Sequence, residues 1–539
     1  MSVWTRCTRW IAIGLLAGIG GMAVAAPSQG LGADFGKRFD ARVEQVMKAH
    51  EVPGMAIAIV DQGQLVQAKG YGVRRLGAAD AVDADTIFPT GSTGKAITAA
   101  ALAILVDDGK LRWDDKVIDH LPDFRMYDPW VTREMTVRDL LVHRSGLGLG
   151  AGDLLFVPRT SRSRSDIVRA LRNIKPATSF RSGYAYDNIL YIVAGELTEA
   201  VSGQRWEDFV RERVFRPAGM ATSVSDENAR FANPNRAQPH ARLGGSVRGL
   251  GSQQVLPERK GLGQVGAPAG GLSSSANDLA RWMQVQLGKG VLPDSDGKRL
   301  YSEAAARELW TPQVLVPIQR YPAPISDITP QFSSYALGWN VQDYRGVKVI
   351  QHGGAVFGVL TFIVMVPERG FGMSLQINSE DVTVMRGLMY EVLDEYLGLP
   401  PRDWVAAFDE WNRQRLAAGV AALDAGAKQV RKAERPPFPL AGYVGDYADP
   451  WYGPMGISER SGKLRLDFRK TPDMAGTLTY WQYDTFRVDW DDASLEPAYV
   501  TFGRDAEGKV AQVKMKAVSP VADFSYDYQD LEFVPVARD

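Results

Sequence analysis

Thr86-Ile87-Phe88-Pro89-Thr90-Gly91-Ser92-Thr93-Gly94-Lys95, running into Ala96-Ile97-Thr98-Ala99-Ala100-Ala101-Leu102, is the stretch whose reading decides the fold. Residues 86–88 read as a short strand. Residues 96–106 read as a helix rich in Ala, Ile and Leu, with Gly109 near its end. Ser92 stands at the helix start, and Lys95 lies three residues on, on the same face. A hydroxyl is a poor nucleophile until something takes its proton. A lysine can take it once burial lowers its pKa, because desolvation disfavours the ammonium. The helix N-terminus adds a favourable potential for an oxyanion. The four-residue pattern alone is weak, recurring by chance about once or twice in a chain this long. Ser295-Asp296-Gly297-Lys298 also matches, but it sits in a polar loop and is set aside.

Two further elements strengthen the case for Ser92. Tyr186-Asp187-Asn188 offers a phenol that can hold a proton in transit and an amide that can donate to a substrate carbonyl. His352-Gly353-Gly354 precedes an apolar strand at residues 359–366. Its glycines let a substrate backbone lie close, and a strand edge there could pair with a peptide-like ligand. His143, at a helix end, is expected to make a structural hydrogen bond, and His50, His120 and His240 have no catalytic context.

Working outward, Phe39, Val43, Val46 and Met47 fall on one face of a helix ending near His50. Residues 54–60 and 65–68 read as strands around the turn Asp61-Gln62-Gly63, and residues 373–377 as a buried strand before a helix at 382–397. Helix and strands thus open the first domain, and strands and helix close it. This order predicts an α+β fold: an antiparallel sheet assembled from both chain ends, flanked by helices, with a helical insertion between. Residues 402–435 look helical, polar and linker-like. Pro436-Pro437-Phe438-Pro439 marks a boundary. Residues 440–539 alternate aromatic and polar side chains, which predicts a separate all-β domain, a small barrel or sandwich. The division expected is 1–26 signal peptide, 35–400 hydrolase domain, 401–439 helical linker and 440–539 β domain.

At 539 residues the chain is too long for one compact core. Lys+Arg at 62 against Asp+Glu at 63 leaves no field for nucleic acid or anionic lipid, so a small-molecule or short peptide or ester substrate is expected. Arg6 and Arg9 before an apolar run at 11–26, ending in Ala23-Val24-Ala25, read as a cleaved secretory signal, placing the mature protein in the periplasm or outside the cell without stable membrane insertion. The single cysteine, Cys7, lies before that run, so the mature chain is expected to have no disulfide and no thiolate chemistry. No metal or cofactor is called for.

The ordered set Ser92…Lys95, Tyr186…Asn188 and His352-Gly353-Gly354 resembles the serine beta-lactamase and penicillin-binding protein superfamily, in its class C beta-lactamase, D-aminopeptidase and esterase branch. Residues 136–147, 268–275 and Tyr335-Ala336-Leu337-Gly338-Trp339 add to the resemblance, which spans roughly residues 39–399. Residues 440–539 resemble the lipocalin-like domain appended to some family peptidases and esterases. The resemblance implies that Ser92 is acylated, with Lys95 as its base, Tyr186 as proton shuttle and Asn188 on a substrate amide. It implies an oxyanion hole at the backbone N–H groups of Ser92 and Ala355. Many class C enzymes carry Lys-Thr-Gly where this chain has His352-Gly353-Gly354. A largely neutral histidine and a bare glycine recognise a penicillin carboxylate less well, so D-amino-acid peptidase, amidase or esterase-like activity is expected, with weak or no beta-lactam turnover. A true class C-like beta-lactamase and a penicillin-recognising sensor with little turnover are the alternatives. No Gly-x-Ser-x-Gly elbow and no His-Glu-x-x-His motif point to other hydrolase classes.

Overall fold

The computed structural model describes residues 31–258, 261–430 and 435–537. The signal-peptide reading and Cys7 lie outside the described residues. Strands β1 (Gly54–Asp61) and β2 (Gln64–Gly72) form a hairpin whose turn uses Gly63 at φ 75°. The remaining strands of this sheet come much later: β3 (Val314–Leu315), β4 (Ser333–Tyr335), β5 (Asn340–Tyr344), β6 (Val347–Val356), β7 (Val359–Val366) and β8 (Phe371–Ile377). The order across the sheet is β2-β1-β8-β7-β6-β5-β4-β3. β1 runs antiparallel to β8, with Met55 opposite Ile377. The sheet is thus sewn from both ends of the domain, as the sequence order predicts.

Both faces are covered, which explains the unbroken apolar run in β1. Alternate side chains separate into two cores. Met55, Ile57 and Ile59 pack with α1 (Phe35–Ala49) and α5 (Val382–Leu397). Ala56, Ala58 and Val60 join the core that holds α2 (Lys95–Asp107), α3 (Ile189–Ser202) and α4 (Ala276–Leu287). Residues 95–105 of α2 are all buried, so α2 is a central helix, and its composition, apolar all round, is what such a helix needs.

The linker-like reading of residues 401–439 needs correction. Helix α6 (Trp404–Lys428) begins as part of the core, with Trp404, Val405, Ala407 and Phe408 buried. Trp404 and Phe408 lie 5.4 and 5.8 Å from the Tyr390 ring of α5, and Trp404 Nε1 donates to Asp394 at 2.6 Å. The apolar residues recur at i, i+3 and i+4, a periodicity masked by the charged residues that follow.

Eight strands then close into a barrel: β9 (Gly445–Asp449), β10 (Gly453–Arg460), β11 (Lys463–Phe468), β12 (Ala475–Gln482), β13 (Thr485–Trp490), β14 (Ala498–Arg504), β15 (Val510–Ala517) and β16 (Glu532–Pro535). Each pairs with the next, and β16 returns to β9. Of the two expected forms, this is the barrel. Aromatic rings fill its interior. Tyr443 meets Phe486 and Phe502 at 5.0 and 4.9 Å, and Phe468 meets Tyr452 and Phe533 at 4.8 and 5.8 Å. No helix among the described residues is long and apolar enough to cross a membrane.

Candidate active site

Ser92 sits in a 3-10 turn (Gly91–Gly94) that feeds directly into α2. Gly91 has φ 52°, a left-handed conformation that glycine adopts without strain, and a Cβ there would come within 2.5 Å of the Ala355 nitrogen. The turn is clamped from two sides. Thr90 N–H donates to Leu272 O at 2.9 Å, and a Cβ on Gly270 would stand 2.7 Å from the Gly91 carbonyl carbon. On the other side β6 presses in, and a Cβ on Gly354 would stand 2.8 Å from Ser92 N. Thus Gly354 is required by the Ser92 turn itself, whereas the sequence pointed to a substrate backbone. The backbone N–H groups of Ser92 and Ala355 lie on these two abutting segments.

Lys95 is fully buried one turn beyond Ser92. Its ammonium donates to Ser92 Oγ at 3.0 Å, to Asn188 Oδ1 at 2.6 Å and to Ala269 O at 2.8 Å. Burial drives its pKa down to about 7, against the opposing pull of the Asp153 and Asp187 carboxylates. The ammonium also lies 4.8 Å from the Tyr186 ring and 5.1 Å from that of Tyr191. The buried Tyr186 hydroxyl lies near Ser92 but makes no aligned hydrogen bond. Burial pushes its pKa well above the ordinary phenol value. Ser92, Lys95, Tyr186 and Asn188, drawn from two sequence regions, are therefore in one place.

Asn188 is more committed than its sequence reading allowed. Its oxygen accepts from Lys95, and its amide donates to Asp153 Oδ2 at 2.8 Å, leaving one N–H for any ligand. His352 lines the cavity, but both ring nitrogens are taken. Nδ1 meets the Gly353 carbonyl at 2.7 Å, so it carries the proton, and Nε2 then accepts from Tyr335 OH at 2.8 Å. Burial and the nearby Lys95 charge press the His352 pKa down to about 3, so the ring is neutral at pH 7. The substrate contact expected of its side chain is therefore not available from the ring nitrogens. His143 is structural, as expected. Its Nδ1 accepts from Asp187 N–H at 3.1 Å, and its ring supports Tyr186 at 4.3 Å. The remainder of the third element does face the cavity. Sheet pairing with β5 ends at Gln351 opposite Asn340, so from His352 onward β6 has a sheet partner on one side only.

Sequence reasoning missed Asp153 and the barrel residues behind it. Asp153 is fully buried and accepts from Asn188 and, at 2.8 Å, from the hydroxyl of Ser525. Burial raises its pKa to about 7. Ser525 belongs to the segment joining β15 to β16. From the same segment, the Asp527 carboxylate accepts from Gly152 N–H at 2.7 Å and Leu154 N–H at 3.0 Å. Phe524 meets the Tyr186 ring edge-on at 5.9 Å and packs on Gly150. The barrel therefore supplies a wall of the site. A cavity of about 630 Å³ runs from Ser92 and Tyr186 past residues 352–357 to this segment. The only sequence cue was a run of Asp and aromatic residues in a loop, a pattern with many structural causes.

Asp153→Asn tests the electrostatic link. Where Asp153 is ionised it raises the Lys95 pKa, so its removal lowers that pKa. Asp153 itself titrates near 7, so the acidic limb of kcat/KM is expected to move to lower pH by less than about one unit. A pH–rate profile with an unmoved or upward-shifted limb would contradict the link.

The beta-lactamase family profile matches residues 39–396, two thirds of the chain. The chain belongs to the beta-lactamase family. A second profile, a domain of unknown function (DUF3471), matches residues 429–535 of this beta-lactamase-family protein. It is 33% identical over 433 residues to an unguisins hydrolase of Aspergillus campestris, covering 77% of this chain and 76% of the relative. It is 31% identical to penicillin-binding protein 4 of Amycolatopsis lactamdurans, covering 68% of this chain and 91% of the relative. The octameric penicillin-binding protein homologue of Pyrococcus abyssi has the same fold, with a TM-score of 0.57 at 19% identity over 92% of this chain and 99% of that one. As a member of this family the protein carries a hydrolase fold, with Ser92 at its cavity.

Proposed function

We propose that the protein is an exported serine hydrolase that forms an acyl-enzyme on Ser92 and acts on the amide, peptide or ester bond of a small acyl substrate. One observation carries this reading: a fully buried lysine, held near pKa 7, whose Nζ lies 3.0 Å from the serine hydroxyl. Neutral Lys95 takes the Ser92 proton as Oγ attacks the substrate carbonyl. The oxyanion forms against the N–H groups of Ser92 and Ala355. As the tetrahedral intermediate collapses, the leaving group departs with the proton, passed from Lys95 by way of Tyr186. Water then attacks the acyl-serine, gives its proton back along the same route and frees Ser92. Relatives named as an unguisins hydrolase and a penicillin-binding protein support acyl chemistry at this serine.

The third element argues against efficient beta-lactam turnover. His352 is neutral and internally bonded, and Gly353 has no side chain, so the third element offers no cation or hydroxyl to a ring carboxylate. Loss of such charge-assisted contacts is worth roughly 10- to 100-fold. On a panel of p-nitrophenyl esters, D- and L-amino-acid amides, D-Ala-D-Ala peptides and nitrocefin, kcat/KM for nitrocefin is expected to fall below the best ester or amide by at least that factor. Nitrocefin or benzylpenicillin as the preferred substrate would overturn this reading.

A further inference from the structure

The segment that joins β15 to β16 is anchored in the barrel core and also reaches the Lys95 site. Tyr528 is the anchor. Its ring stacks on Trp490 at 6.3 Å, and its hydroxyl donates to the Glu496 carbonyl at 2.9 Å. One residue earlier, the fully buried Asp527 side chain reaches into the hydrolase domain. Its two oxygens accept from Gly152 N–H at 2.7 Å and Leu154 N–H at 3.0 Å, the amides on either side of Asp153. From the same segment the Ser525 hydroxyl donates to Asp153 Oδ2 at 2.8 Å. The barrel therefore holds Asp153 at its backbone and at its carboxylate. The same Oδ2 accepts from the Asn188 amide at 2.8 Å, and Asn188 Oδ1 accepts from Lys95 Nζ at 2.6 Å. A chain of hydrogen bonds thus runs from the barrel to the lysine.

The direction of each hydrogen bond in this chain bears on catalysis. A neutral lysine amine has two N–H groups and one lone pair. Asn188 Oδ1 and Ala269 O can only accept, so they take both N–H groups and leave the lone pair to face Ser92 Oγ at 3.0 Å. An Asn188 amide turned end for end would present N–H to that lone pair and compete with the Ser92 hydroxyl. An ionised Asp153 opposes the turn, because it only accepts and so holds the NH2 end of the amide. Burial raises the Asp153 pKa, and the hydrogen bonds from Asn188 and Ser525 act against that rise. We infer that Ser525 and Asp527 are positioning residues: from the barrel they fix Asp153 and, through it, the Asn188 amide, so that the Lys95 lone pair is left for Ser92. The inference rests on the reading of Lys95 as the base for Ser92. It makes docking of the barrel a condition for orienting the base. Asp527 is not among the residues that line the cavity, so direct contact with substrate does not explain an effect of changing it.

The test is the stopped-flow acylation burst with an activated p-nitrophenyl ester, run over a range of ester concentrations on full-length proteins. It yields a limiting acylation rate and a half-saturating concentration. Ser525→Ala and Asp527→Asn are each expected to lower the limiting rate by at least about fivefold, as for a lost hydrogen bond to a charged group. The half-saturating concentration should stay within about twofold of the parent, because neither change removes a substrate contact. Ser525→Thr keeps the hydroxyl and should hold the rate within about threefold of the parent. Ser525→Ala added to Asp153→Ala should cost less than about twofold, because the two changes remove one shared interaction. Melting temperatures show which variants fold, and the Ser525 variants decide the question if Asp527→Asn does not. A Ser525→Ala rate within about twofold of the parent overturns the inference. So does a rate that is equally low in Ser525→Thr, or a loss that persists undiminished beside Asp153→Ala. A change confined to the half-saturating concentration overturns it too, by making Ser525 a substrate contact. Acylation of Ser92 in the unmodified protein, and its slowing in Lys95→Met, report the underlying reading separately. Failure of the positioning role and failure of that reading are therefore distinguishable.

Discussion

Lys95→Met is expected to slow acylation of Ser92 by about 10³-fold, the range that loss of a positioned general base produces. Met keeps most of the buried volume and removes the amine that faces Ser92 Oγ. The Asn188 and Ala269 oxygens lose their shared donor, so stability should also fall, by about 1–3 kcal/mol for each acceptor left unsatisfied. The pH dependence separates base catalysis from simple disruption. In the unmodified protein the acylation rate should rise as pH passes upward through about 7, because Lys95 must be neutral to accept the proton. In Lys95→Met that limb should vanish. Stopped-flow release of p-nitrophenol from an activated ester measures both. A variant within tenfold of the parent, or one that keeps the limb, would exclude Lys95 as the base.

Gly354→Ala should cost nearly as much, although it adds a single methyl. The new Cβ would collide with the Thr90 carbonyl and stand 2.8 Å from Ser92 N. Neither contact is with a flexible side chain, so the turn or β6 must move. The Ser92 and Ala355 N–H groups lie on those two segments, and loss of one oxyanion donor costs roughly 10²- to 10³-fold in kcat. Gly353→Ala is the internal control. Its Cβ would meet only the edge of the Phe362 ring at 3.1 and 3.2 Å, a contact the ring relieves by tilting. The expected result is a fall of at least about 10² in kcat for Gly354→Ala and a much smaller one for Gly353→Ala, at comparable melting temperatures. Equal losses would show that the two glycines share one role, against the packing just described.

The sheet was legible because its strands carry unbroken apolar runs, such as 54–60 and 359–366, and their order along the chain dictated how both ends meet. The barrel was legible as all-β from alternating aromatics, and closure follows from β16 returning to β9. Helix α6 was misread because a core-facing quartet, Trp404 to Phe408, precedes a long charged stretch that dominates its composition. At the site, Ser92, Lys95, Tyr186 and Asn188 were readable from spacing. The state of His352 was not, because its neutrality comes from burial and the Lys95 charge, and its Nε2 is taken by Tyr335, 17 residues away in sequence. Asp153, Ser525 and Asp527 were invisible for the same reason. Asp153 and Ser525 are 372 residues apart, and only docking of the barrel brings them together.

The covalent state of Ser92 is the most direct test of its role as the acylated residue. The measurement is intact mass followed by peptide mapping, after a rapid acid quench of the protein with an activated p-nitrophenyl ester or an activated phosphonate. A single adduct on the peptide that contains Ser92, absent from Ser92→Ala and strongly slowed in Lys95→Met, is the predicted result. No adduct on the unmodified protein, or the same adduct on Ser92→Ala, would contradict the assignment of Ser92 as the acylated nucleophile.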